Sequence, residues 1–118
     1  MNWITAIQRA IDYTEEHLTE ETDYEAIARA AASSVFHFQR IFSMLCGYTL
    51  GDYIRMRRLS LAADELRRTD LKIIDIALKY GYDSPESFSR AFTRFHGVTP
   101  SQARRGESVK IFSRLSVK

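Results

Sequence analysis

Apolar residues recur at three- and four-residue intervals in one short segment after another, the spacing that lines them along one side of an α-helix. Ile4, Ile7, Ile11 and Leu18, with Trp3 ahead of them, predict a first helix that ends in the polar stretch from Thr19 to Thr22. Asp23 is placed to cap a second helix, Tyr24 to about Ala31, that buries Ile27 and Ala28. Ser34 caps a third, which Gly47 closes with the left-handed backbone that glycine tolerates. Thr49 opens a longer helix to about Arg68, with Leu50, Tyr53, Ile54, Leu61 and Leu66 inward. A short helix over Ile73 to Tyr80 stops at Gly81; Ser84-Pro85 then starts another, ended by Gly97. Thr99-Pro100-Ser101-Gln102 has the form of a capping box at the head of a last short helix. The expectation is an all-α fold of about seven helices.

From Ser108 the rhythm changes. Val109, Ile111, Leu115 and Val117 alternate with polar residues, which is strand periodicity without a partner strand in the chain. A lone strand is not stable. This tail, residues 107–118, is therefore expected either to fray or to form the edge of a further C-terminal domain.

The third and sixth helices repeat one another. SVFHFQRIF, Ser34 to Phe42, and SPESFSRAF, Ser84 to Phe92, share Ser, Phe, Arg and Phe at a constant offset of 50, and Gly47 and Gly97 keep that offset. In the first copy Phe38, Ile41, Phe42 and Leu45 make a core stripe, leaving Phe36, Gln39, Arg40 and Ser43 on a second, mostly polar face. In the second copy Phe88, Ala91, Phe92 and Phe95 face inward and Glu86, Ser89, Arg90 and Thr93 outward. Packing repeats while the exposed surface varies.

A short helix carrying Ile-Ala precedes each copy, Ile27-Ala28 and Ile76-Ala77. Two helices joined by a tight turn, with a small residue where they cross, form a helix-turn-helix. Its second helix enters the major groove of DNA, and the amides at that helix start suit phosphate. The helix between the copies would be about 30 Å long at about 1.5 Å per residue, close to the roughly 34 Å between successive major-groove faces. One chain would thus present two reading heads to successive turns. The expected division is residues 1–48 and 69–106 for the two helix-turn-helix subdomains, with 49–68 as linker helix.

Charge supports this reading modestly. The net charge is +2, but residues 1–33 hold seven acids against Arg9 and Arg29, while the rest holds fifteen Lys and Arg against eight acids. The basic potential lies with the repeats. No apolar run approaches about 18 residues and no export leader is present, so a cytoplasmic protein without a membrane span is expected. The single Cys46 cannot pair internally and reads as a buried thiol. His17, His37 and His96 lack metal-ligand spacing, and no nucleophile has a base at recognisable spacing. Neither an enzyme nor a metal or other cofactor is expected.

These residues resemble the AraC/XylS transcription regulators, over about Tyr24 to Arg105. The stretch IIDIALKYGYDSPESFSRAFTRFHGVTPSQAR, Ile73 to Arg104, is similar to that family's signature region, and SVFHFQRIF with GDYIRMRRLSLAADEL fits its first half. The resemblance implies binding of double-stranded DNA, contact with RNA polymerase, and small-molecule control only through a domain absent from this chain. It assigns base contacts to Phe36, Gln39, Arg40, Pro85, Glu86, Ser87 and Arg90. Ser34, Ser84, Arg55, Arg57 and Arg58 become phosphate contacts. Gln39 suits adenine, Arg40 and Arg90 suit guanine, and Phe36 a thymine methyl. Two positions depart from the family pattern: Ala32 stands where glycine is common and Ala103 where tyrosine is usual.

The residues alone leave another reading open, a helical protein–protein interaction module without specific DNA binding. In that case Arg40 and Arg90 are ordinary surface arginines, Phe36 tucks against the second helix or Tyr24, and the linker arginines pair with Asp52 and Glu65.

Overall fold

The computed structural model describes residues 2–117, and among them the regular structure is all helical. Seven helices follow in order: α1 (Trp3–Glu16), α2 (Tyr24–Ala30), α3 (Val35–Cys46), α4 (Leu50–Arg68), α5 (Ile73–Lys79), α6 (Pro85–His96) and α7 (Pro100–Arg104). They fall into two compact units, one holding the residues up to Arg55 and those from Arg114, the other Met56–Ser113.

In the first unit α1 packs on α2 and α2 on α3. Asn2 Oδ1 starts α1 by accepting the Ile4 and Thr5 amides at 3.0 and 3.3 Å, and Asp23 Oδ1 starts α2 by accepting that of Ala26 at 3.0 Å. The core is built from Ile7, Ala10 and Ile11 of α1, Ile27 and Ala28 of α2, Phe38 and Phe42 of α3, and Leu50, Tyr53 and Ile54 of α4. Phe42 lies against Phe38 and Tyr53, each with ring centroids 5.8 Å apart. Two expected core positions and one helix boundary differ. Ile4 is exposed in the first turn of α1, Leu18 is buried but beyond the helix end, and Leu45 is 58% exposed. Leu45 sits in the last turn of α3, and α2, which packs against that helix, is only seven residues long.

The second unit is organised around Phe88 and Phe92, both fully buried, against Leu59, Ala62, Ala63 and Leu66 of α4 and Ile76 and Ala77 of α5. Leu61, expected inward, is only partly buried at the edge of this cluster. Ala103 is fully buried in the same cluster, so the small side chain on α7 still seals the core. The capping box is complete: Gln102 N–H donates to Thr99 Oγ1 at 3.2 Å and Thr99 N–H to Gln102 Oε1 at 2.8 Å.

Each helix-turn-helix bends through the same turn. The Ser33 amide donates to Ala28 O and that of Ala32 to Arg29 O; equivalently, Tyr82 donates to Ala77 O and Gly81 to Leu78 O. This is the Schellman arrangement, which needs a left-handed residue just past the helix. Gly81 takes that conformation at φ 89°, and Ala32 takes it at φ 55° at a cost of about 1–2 kcal/mol. The Ile-Ala pair therefore has a backbone role as well, since each alanine carbonyl closes its turn.

The tail contains no strand among its described residues and is not frayed. Within the second unit Phe112 N–H donates to the buried Ser60 Oγ at 2.8 Å, Arg57 Nη1 to Phe112 O at 2.7 Å, and Lys110 N–H to His96 Nδ1 at 3.1 Å. Within the first, the Leu115 amide reaches Tyr53 Oη at 3.3 Å, that of Val117 reaches Gln8 Oε1 at 3.0 Å, and Arg114 pairs with Asp12. Side chains on helices satisfy backbone groups that a neighbouring strand would otherwise satisfy.

Candidate nucleic-acid interface

The surface of α3 begins at its cap. Ser34 Oγ accepts the His37 amide at 3.3 Å, fixing the first turn and leaving the preceding amides of that turn directed outward. Phe36 in this turn is 72% exposed. One turn later the Arg40 guanidinium stands 5.7 Å from the Phe36 ring centroid. Gln39 and Ser43 are half-buried beside them. Together with Met44 and Thr49–Gly51 these residues line an open groove of about 500 Å³.

Met44 escaped the sequence reading. It is 74% exposed and falls at i+8 from Phe36 and i+4 from Arg40, on one line along the helix. That spacing is the signal by which it could have been found. Cys46, expected buried, is half-buried, and that burial pushes its thiol pKa up.

On α6 the cap is Ser84, whose Oγ accepts the Ser87 amide at 3.1 Å, with Pro85 in the first turn. Pro85, Glu86 and Arg90 are exposed, and Glu86, Arg90 and Thr93 share one face. Ser87 is not with them. Its hydroxyl lies 3.1 Å from Ser84 O and 3.0 Å from Ser84 Oγ, so its one donor is turned back onto the cap.

The three linker arginines have separate fates. Arg55 pairs with Asp52 at 2.8 Å on the surface of α4, and this hydrogen bond, with Thr49 adding, holds the Asp52 carboxyl below the usual carboxylate range. Arg57 Nη1 donates to the tail carbonyl of Phe112 at 2.7 Å. Arg58 lies against the turn of the second motif, its Nη1 3.1 Å from where a Cβ on Gly81 would stand. Glu65 pairs with Lys79 at 2.8 Å.

Among the described residues no cluster of metal-ligating side chains occurs and no helix is long and apolar enough to cross a membrane. What the geometry offers is two capped helices, each with an exposed arginine in the same register six residues past its cap serine.

Comparison with known proteins places this arrangement. Residues 27–106 match the family model described as a helix-turn-helix domain. The chain is 43% identical over 98 residues to the regulatory protein SoxS of Salmonella typhimurium, covering 83% of this chain and 92% of SoxS. It is 41% identical over 104 residues to the helix-turn-helix transcriptional regulator YbfP of Bacillus subtilis, but those residues, 88% of this chain, span only 35% of YbfP. Among solved structures, the DNA-binding domain of the global transcriptional factor AdpA in complex with a target DNA superposes with a TM-score of 0.75 at 27% identity, covering 86% of this chain and 90% of that one.

Proposed function

The chain belongs to the AraC/XylS family of helix-turn-helix DNA-binding regulators, and on that premise we propose that it reads one double-stranded site through α3 and α6, each laid in a major groove. The observation that carries this is the repeated device itself: the same cap, turn and buried phenylalanines present Arg40 and Arg90 outward in the same register. Phe36, Gln39 and Arg40 read bases from the first helix, and Pro85, Glu86 and Arg90 face bases from the second. Ser34, Ser84, Arg55 and Arg58 contact phosphates and set the register on the duplex. The two motifs follow one another along the chain through α4, an unbroken helix of 19 residues.

The protein works in the cytoplasm, where DNA is its partner, and activates transcription by contact with RNA polymerase.

Binding to duplex DNA across a salt series tests the reading. For a DNA reader the logarithm of the binding constant falls linearly with log[salt], with a slope of about −0.9 for each phosphate neutralised. A protein-interaction module shows no such slope, and that outcome would remove DNA as the partner.

A further inference from the structure

Arg40 and Arg90 occupy the same register, but one turn before each stands a different residue: Phe36 before Arg40, Glu86 before Arg90. Side chains on a helix lean toward its N-terminus, so Arg40 leans over Phe36 and toward the helix start, the end that enters the groove. The Arg40 guanidinium carbon lies 5.7 Å from the Phe36 ring centroid, within the range of a cation–π contact. Phe36 packs into no core, being 72% exposed, so nothing in the fold demands an aromatic ring there. A free arginine side chain must surrender many rotamers before its planar fork meets a guanine in two hydrogen bonds. A ring beneath the guanidinium settles the plane of the fork in advance.

We propose that Phe36 is a positioning residue for Arg40, holding the guanidinium in the orientation for bidentate base readout, and that the first motif discriminates its base more sharply than the second for this reason. This rests on the reading of Arg40 as a base contact. Glu86 offers Arg90 no such platform, so the second arginine enters the groove without this constraint.

The test is a double-mutant cycle on duplex binding. The Arg40→Ala variant first identifies the base pair whose preference depends on Arg40. Phe36→Leu, which keeps an apolar group for any methyl contact, should lower discrimination at that base pair about two- to five-fold, the worth of an exposed cation–π contact. Phe36→Tyr should preserve it, and in the Arg40→Ala background Phe36→Leu should have no effect at that base pair. Without DNA, the Arg40 side-chain proton resonances should lose their ring-current shift in Phe36→Leu and keep it in Phe36→Tyr. Glu86→Phe should sharpen the preference governed by Arg90. If Phe36→Leu costs as much at that base pair with Arg40 absent as present, Phe36 acts there independently of Arg40 and the positioning role is overturned. If Arg40→Ala leaves every base preference unchanged, it is the base-reading assignment that fails, and the positioning role falls with it.

Discussion

The two helix-turn-helix motifs share a backbone and differ in what they display on it. Both have a Schellman turn, a serine cap, a fully buried pair of phenylalanines and a glycine closing the second helix. Yet the turn of the first motif strains an alanine where the second has a glycine, and the second has one more residue before its cap. The first presents Phe36, Arg40 and Met44, an apolar and cationic line; the second presents Glu86, Arg90 and Thr93, with an acid in place of the aromatic ring. The positions that repeat are those the fold needs, and the positions that vary lie on the exposed faces. A duplicated motif in one chain can thus read two unlike half-sites, which an identical pair of subunits cannot.

The largest test strikes what the motifs share. Phe38→Ala and Phe88→Ala should each cost about 3–5 kcal/mol of stability, seen in denaturant melts, with amide exchange showing the loss first in the unit that holds the residue. Next come the exposed arginines. Arg40→Ala should weaken specific binding by about 1–3 kcal/mol, and Arg90→Ala by less, because Glu86 and the inward-turned Ser87 leave the second helix fewer base contacts; equal losses would erase the functional contrast.

The turns supply a reciprocal pair. Ala32→Gly should stabilise the protein by about 0.5–1 kcal/mol by relieving the left-handed alanine. Gly81→Ala should destabilise it by about 1–2 kcal/mol, since the new Cβ is both strained at φ 89° and crowded at 3.1 Å from Arg58 Nη1. Melting temperatures of the two variants decide this.

The smallest effect concerns a histidine that only the second motif has at its helix end. His96 Nε2 donates to Leu59 O at 2.8 Å and Nδ1 accepts from Lys110 N–H, so the buried ring is held neutral. Burial lowers its pKa below the ordinary 6.5, and the charges of Arg67 and Lys110 push the same way, although its backbone hydrogen bonds pull upward. A depressed pKa means that the unfolded chain takes up a proton before the folded one does. Stability is therefore full above pH 6.5 and falls as pH drops from there to the lowered folded value. Thermal melts between neutral pH and about pH 5.5 should show this slope in the wild type and a flatter one in His96→Gln.

Much of the fold could be read from local chemistry. Asp23, Ser34, Ser84 and Thr99 were recognisable as caps because a side-chain acceptor must sit at a fixed offset from the amide it receives. The core of α4 was less legible. Leu50, Tyr53 and Ile54 set up one stripe, and extending it points to Leu61; but in the second unit the helix buries Leu59, Ala62, Ala63 and Leu66, a stripe out of phase with the first. A single helical period cannot describe a helix whose two ends belong to different cores. The hydrogen bonds of the tail were illegible for a related reason. Its alternation is real, yet its hydrogen-bond partners are side chains such as Ser60 and Tyr53, 52 and 62 residues away, and no spacing rule reaches that far. At the interface, Phe36, Arg40, Glu86 and Arg90 were visible from helical spacing, whereas the capture of Arg57 by the tail and of Ser87 by the cap depended on contacts outside that pattern.

The most direct test of two-headed recognition is selection of binding sites from a random duplex pool, run with the wild-type chain, Arg40→Ala and Arg90→Ala. Two enriched and dissimilar blocks about one helical turn apart, each weakened by its own variant, are the predicted result. A single block, or two blocks that both respond to the same arginine, would contradict it.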